Sequence, residues 1–312
     1  AGTAGFPFQR IQGAFNELGC AAPYSVAKMD NTVFWLGADA RGRGMVYRAN
    51  GYTGQRISTH AVEWQIQQYG NLSDAIGYTY QQDGHSFYVL IFPQADTTWV
   101  YDASTQAWHE RAGWDNGGFT RHRSNCQMAF NNEVVVGDYE NGNLYAFDPD
   151  VYSDNGAIQR WLRSWRALPT GTNTLRRTTH HSLQLDCETG VGLNEPPDQP
   201  DRFLSEVLIG ALLTEAGDRL LAENGDVIYA TTSALTTMTP RVMLRWSDDG
   251  GHTWSNEHWT SIGRIGQYGH RAFWRRLGMT QKIRDRVYEI SGTDPVKIAI
   301  MGAELRAGPT NA

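Results

Sequence analysis

Three stretches of this sequence obey one pattern: an alternating apolar strand, a Gly/Asn/Asp turn, a second strand carrying an aromatic residue, and another polar turn. The first runs through residues 31–37 (NTVFWLG), 45–51 (MVYRANG) and 55–57 (QRI) and reads as a meander. The second contains 86–92 (SFYVLIF), 98–102 (TWVYD) and 107–111 (AWHER), the last part with a kelch-like look. The third has 133–138 (EVVVGD) and 144–148 (LYAFD) on either side of polar turn residues. Aligning Tyr47, Tyr101 and Phe147 gives spacings of 54 and 46 residues, close to the roughly 40–50 residues of a four-stranded propeller blade. A single such unit leaves one sheet face bare, so radial stacking on its neighbours would bury the core. The expected fold is therefore all-β, a β-propeller of four-stranded antiparallel blades, with a β-sandwich as the alternative.

Composition agrees. Of 312 residues, 40% are hydrophobic and 19% charged, a globular balance that excludes wholesale disorder and coiled coil. Aromatic residues at 12% and 33 Gly supply strand and turn vocabulary. No stretch approaches the roughly 18 consecutive apolar residues of a membrane span, so no membrane partner is expected. Cys20, Cys126 and Cys187 lie far apart, which argues against a disulfide framework or a zinc site and favours a reducing compartment. The chain opens on Ala1 without Met, from which we expect residues upstream.

The grammar changes at the Pro-rich segment 195–200 (EPPDQP), so residues 196–240 are read as an insertion between propeller blades (1–195) and a continuation of the propeller (241–312). Within it, 212–218 (LLTEAGD) recurs as 220–226 (LLAENGD), and the turn residues predict short hairpins, with a helix through 203–213 as the competing reading. Eight acids between Gly190 and Ala230 face only Arg202 and Arg219, and this surplus equals the net charge of −6.

Basic side chains are almost all guanidinium, with three Lys among 27 basic residues. Arg grips carboxylates in a planar fork and is desolvated more readily than Lys, which suits protein interfaces; codon bias is the plain alternative. Arg160, Arg163, Arg166, Arg176 and Arg177 form one acid-free stretch, interleaved with Trp161 and Trp165. Arg264, Arg271, Arg275 and Arg276 belong to a second. With a sequence pI near 5.8, a nucleic-acid surface is disfavoured. We expect these nine arginines to be a subunit interface against acidic surfaces.

The sharpest motif is Ser247, Asp249, Gly251, Thr253 and Trp254, which fit the Asp-box pattern Ser-x-Asp-x-Gly-x-Thr-Trp. Asp249 is suited to accept hydrogen bonds from the turn backbone, Gly251 to take positive φ, and Trp254 to anchor the hairpin in apolar surroundings. It is a folding device. A sialidase-like hydrolase requires converging arginines and an activated Tyr, and the Arg-Ile-Pro segment of such enzymes is broken at Gln12. His180 and His181 point to opposite faces of a strand, cannot share a metal, and are expected to be exposed. Residues 148–156 (DPDVYSDNG) lack the terminal Glu of a calcium loop. No catalytic residue, metal or cofactor is expected.

Residues 245–255 (RWSDDGGHTWS), 266–278 (GQYGHRAFWRRLG) and 286–291 (RVYEIS) resemble the packaged-DNA stabilisation, or tail accessory, proteins of short-tailed phages, and so do 50–63 and 147–156. The resemblance implies a non-enzymatic virion protein, assembled in the host cytoplasm. It implies a hub ring, as a hexamer, below the portal and adaptor proteins, touching a tail needle or distal tail protein and helping retain packaged DNA without reading its sequence. A sialidase-like or carbohydrate-binding propeller is the alternative. The acidic insertion departs from the family pattern.

Overall fold

The computed structural model describes residues 16–39, 42–166, 177–191, 204–211, 229–235, 239–264, 266–280 and 286–309. The chain divides into two compact units, Ala1–Asp148 and Pro149–Ala312.

In the first unit, β1 (Ala27–Met29), β2 (Thr32–Asp39), β3 (Gly42–Asn50) and β4 (Thr53–Arg56) form an antiparallel meander, and α1 (His60–Gln67) follows. Thr59 caps the helix, its side chain accepting from the Val62 amide at 3.4 Å. A second meander runs β5 (Ile76–Gln82), β6 (His85–Phe92), β7 (Thr97–Asp102), β8 (Ala107–Asp115) and β9 (Gly118–Arg121). A third comprises β10 (Ser124–Phe130), β11 (Glu133–Asp138) and β12 (Leu144–Ala146). The tips are residues able to hold positive φ: Asp30 and Asn31, Asp83 and Gly84, Asn116 and Gly117, Asn131 and Asn132. Expected strands and observed strands coincide closely, but among the described residues the sheets carry four, five and three strands rather than four each.

Two apolar layers bind the sheets. Phe34, Leu36 and Val46 of the first sheet pack with Tyr88, Leu90, Phe92 and Tyr101 of the second. The opposite side of the second sheet, with Tyr78, Tyr80, Val89, Ile91 and Val100, receives Val134 and Phe147. Polar clasps join the layers. Ser25, fully buried, donates from its hydroxyl to the Ala22 carbonyl (2.7 Å) and accepts from the Leu36 amide (3.0 Å). Its own carbonyl accepts from the Tyr88 hydroxyl at 2.7 Å. Gly77 makes this crossing possible, since a Cβ there would lie 2.4 Å from the Ser25 oxygen.

The second unit abandons the meander. Here follow β13 (Trp161–Arg166), β14 (Thr178–Cys187), β15 (Leu204–Ala211), β16 (Tyr229–Leu235), β17 (Arg241–Ser247), β18 (His258–Ser261), β19 (Ala272–Arg275), β20 (Val287–Gly292) and β21 (Ile300–Pro309). One sheet has the order β13-β20-β17-β18 and another β19-β14-β21, while β15 pairs with β16. Leu183, Leu185, Ala272 and Trp274 of the three-stranded sheet share one core with Val242, Leu244, Tyr288 and Ile290 of the four-stranded sheet. Two sheets over a common core make a sandwich.

This corrects the expected division. Residues 241–312 do not continue a propeller and the first boundary falls at 148/149 rather than 195, while residues 204–211 form a strand paired with 229–235, where a helix was the competing reading. The repeat 212–226 lies outside the described residues. The physical reason is pairing distance: β13 finds its partner in β20, with Trp161 opposite Gly292, so these strands cannot be hairpins of a blade.

Candidate functional site

The turn between β17 and β18 is held by two side chains. The Ser247 hydroxyl donates to Asp249 Oδ1 (2.6 Å) and accepts from the Gly251 amide (2.8 Å). Asp249 Oδ1 accepts from the amides of His252 (2.8 Å) and Thr253 (2.9 Å), and Oδ2 accepts from the Thr253 hydroxyl (2.6 Å). Gly251 has φ 108°, a value an L side chain rarely adopts. Hydrogen bonds from Ser247 and Thr253 hold the Asp249 carboxyl well below the usual carboxylate range. Trp254 departs from expectation: it is half-buried, and its ring carries the Arg245 guanidinium 4.7 Å from the centroid. Arg245 is in turn ion-paired with the buried Glu289. Replacing Asp249 by Ala should leave four donors of this turn without their acceptor. Hydrogen exchange of residues 247–254 is expected to accelerate and the melting temperature to fall; unchanged protection there would remove the structural role.

Beside this turn lies a buried polar cluster that sequence reading missed. Arg286, 2% exposed, donates to Asp248 through Nε (2.6 Å) and an Nη (2.7 Å), and to the carbonyls of Leu277 (2.7 Å) and Met279 (3.1 Å). Its guanidinium lies over Trp246 and Tyr288, at 5.4 and 6.0 Å. The Tyr288 hydroxyl meets His180 Nδ1 at 2.5 Å, joining β20 to β14 across the two sheets, and Thr178 Oγ1 lies 3.0 Å from His180 Nε2. His180 is thus buried rather than exposed, while His181 on the opposite side of the strand is exposed. Burial, with help from the Arg286 charge, lowers the His180 pKa to about 4, and burial pushes the Tyr288 hydroxyl up to about 12. Neither the Ser-Asp-Asp residues nor Arg286 gave a signal of this pairing, because 38 positions separate Asp248 from Arg286.

The arginines proposed as an interface do not gather on one surface. Arg163 and Arg166 are exposed on β13, an edge strand of the four-stranded sheet. Arg275 and Arg276, with Arg271 just before them, are exposed at β19, an edge of the three-stranded sheet. These are different flanks, because β19 lies beside β18: the Trp274 indole donates to the His258 carbonyl at 2.9 Å. Arg177 and Arg264 are exposed in loops, and Arg264 donates to Thr239 Oγ1 (3.0 Å). Arg160 is mostly buried, 3.6 Å from Glu257. Arg176 lies outside the described residues.

In the first unit the carboxylates likewise organise turns. Asp102 accepts from His85 Nδ1 (2.8 Å), the Thr105 hydroxyl (2.7 Å) and the Ser104 amide (2.9 Å). Burial opposes its charge, but these hydrogen bonds together prevail and lower its pKa to about 2. Asp138 accepts from the Glu140 amide (2.7 Å) and Arg123 (3.3 Å). A chain of His122, Ser124 and Tyr78, with separations of 2.7 and 2.6 Å, has the residue types of a nucleophile and a base. Ser124 and Tyr78 are buried, however, and the chain ties β5 to β10. Residues 154–157, at the end of the stretch considered for calcium, form a tight turn with the Asp154 and Ala157 backbones paired in both directions. Among the described residues no group of three or more His, Cys, Asp or Glu is placed to hold a metal ion.

The strands and these turn-forming clusters define an all-β protein of two units, one of successive meander sheets and one of two sheets over a common core. The model of the bacteriophage P22 Gp10 β-propeller matches residues 1–152, and that of the P22 Gp10 β-sandwich matches residues 207–308. Together they span most of the chain, which belongs to the P22 Gp10 family of phage structural proteins. No curated protein matches. Among solved structures, a chain described as a glycoside hydrolase is 9% identical, with 89% of this chain and 68% of that chain covered at a TM-score of 0.19. A superposition that poor carries no argument.

Proposed function

We propose that this protein is a structural component of a phage tail hub, present in the virion as a ring below the portal and adaptor proteins. There it narrows the channel and stabilises the packaged DNA. The observation that carries this reading is the match of residues 1–152 to the β-propeller model and of residues 207–308 to the β-sandwich model of P22 Gp10. Each unit is suited to such work: carboxylate-centred turns and buried polar clasps lock the sheets within it, and firmly packed sheets resist a pressurised genome by steric closure. An acidic chain, net −6, does not grip phosphate strongly and so does not impede ejection. The ring is a hexamer of copies and binds a tail needle or distal tail protein on its far side.

Arginines exposed on the two flanking strands are the proposed contacts to neighbouring subunits. Replacing Arg275 and Arg276 by Glu is expected to stop ring assembly while leaving the fold intact, because both side chains are exposed. Light scattering that shows an unchanged assembly would remove them from the interface. Imaging particles carrying a labelled copy tests the larger reading; label anywhere but beneath the portal would overturn it.

A further inference from the structure

The sheet β19-β14-β21 turns one face to the core of the second unit and the other away from it. Register places Arg275, Ser182 and Arg306 in one row and Phe273, Gln184 and Glu304 in the next. Residues directly opposite one another project from the same side of a sheet, and the core rows, Trp274 with Leu183 and Leu305 among them, alternate with these. Arg275 and Arg306 therefore stand exposed at one end of the outer face, roughly 10 Å apart across Ser182. Arg276 follows, exposed as well, at φ 59°, the left-handed region in which glycine is the usual residue. An arginine kept at such a position is not chosen for the turn. Among the described residues Arg160, Arg245, Arg286 and Lys297 of this unit are ion-paired, and none of these three arginines is.

A second feature of this unit has the opposite sign. β15 and β16 pair with each other and, among the described residues, with no other strand. A two-stranded ribbon on its own is marginally stable in water and gains from a surface to lie on. Residues 212–228 join its strands, between Ala211 and the opposing Tyr229, and hold Glu215, Asp218, Glu223 and Asp226 against Arg219 alone.

We propose that this acidic segment of one subunit docks on the arginine end of the outer face of the next. The contact rests on the ring proposed above and names what holds it together. Charge complementarity selects the occupant. The arrangement also suits a ring, because two different patches meeting head to tail repeat around a closed circle. A phosphate backbone fits less well: Glu304 and Asp186 stand on the same face and would repel a uniform polyanion, whereas the segment carries Arg219 among its acids. Exposed ion pairs are weak singly and are screened by salt. The contact therefore gains from repetition around the ring and weakens as ionic strength rises.

Charge exchange between two variants of the full chain tests this by sedimentation velocity. The face variant carries Arg275→Glu, Arg276→Glu and Arg306→Glu; the segment variant carries Glu215→Lys, Asp218→Lys, Glu223→Lys and Asp226→Lys. Each alone is expected to stay a single chain. An equimolar mixture should assemble as the parent does, because each variant then finds the opposite charge only on the other. A chain bearing both sets should assemble unaided, which shows that neither set prevents folding, and added salt should dissociate every one of these assemblies. A segment docked on its own subunit gives no rescue on mixing. That result, or single variants that assemble as the parent does, overturns the proposal and leaves the ring standing. A parent that remains a single chain at every concentration overturns the ring and this contact together.

Discussion

Replacing Asp248 by Ala is expected to lower the stability of the second unit by about 3–5 kcal/mol, the usual cost of removing one partner of a buried ion pair. The reason is what remains. Arg286 is 2% exposed, and without Asp248 its guanidinium keeps the carbonyls of Leu277 and Met279 and its contact with Tyr288, none of which carries a compensating charge at neutral pH. Desolvation works against that charge, and the Asp248 carboxylate together with the Tyr288 hydroxyl outweighs it, raising the Arg286 pKa above its ordinary value. Removing both charges with Asp248→Ala and Arg286→Met should recover most of the loss, since an apolar pair of similar volume leaves nothing unsatisfied. Hydrogen exchange of the β17 and β20 amides reads this unit separately from the first. A single-variant loss below about 1 kcal/mol, typical of a surface pair, would show the cluster to be solvated.

Acidification should destabilise the same unit in a defined window. The His180 pKa is lowered from 6.5 to about 4 in the folded chain, so the unfolded state binds the extra proton between those values. Stability is therefore full above pH 6.5, declines as pH falls towards 4, and is flat in this contribution below that. At about 1.4 kcal/mol per pKa unit the loss is about 3 kcal/mol. The charged and titratable groups around the ring are Arg286, Asp248, His181 and Tyr288; of these Asp248 favours protonation, and Arg286 and His181 oppose it. His180→Gln should flatten the pH dependence by one proton, measured as the slope of unfolding free energy against pH. An unchanged slope would place the proton elsewhere. The first unit should respond in the same direction, because burial and then the Arg111 charge lower the His122 pKa to about 4.

The two units differ in how legible they were. In the first, apolar alternation and turn residues such as Asn131 and Asn132, with φ 49° and 65°, state each strand and its hairpin partner within a few residues. The spacing of Tyr47, Tyr101 and Phe147 then follows from repeated meanders, although Phe147 itself lies just beyond β12. The Ser247–Thr253 turn was equally readable, since its hydrogen bonds reach no farther than four residues. Trp254 was not, because its neighbour Arg245 is chosen by strand packing.

Charge was the weaker guide. The arginine-rich stretches looked alike in sequence, yet Arg160 turns inwards to Glu257, and Arg163 and Arg275 stand on different flanks of the two-sheet unit. Similarly, His180 and His181 are indistinguishable by type, and only the side of β14 that meets Tyr288 separates a buried ring from an exposed one.

Strand periodicity, hairpin tips and the carboxylate-held turn are written in residues a few positions apart, where backbone sterics and local hydrogen bonds decide the outcome alone. The pairing of β13 with β20, the seating of Arg286 on Asp248 and the change from meander to sandwich join residues far apart in the chain. They arise from which apolar faces find each other, a choice made by the whole core and by no local segment.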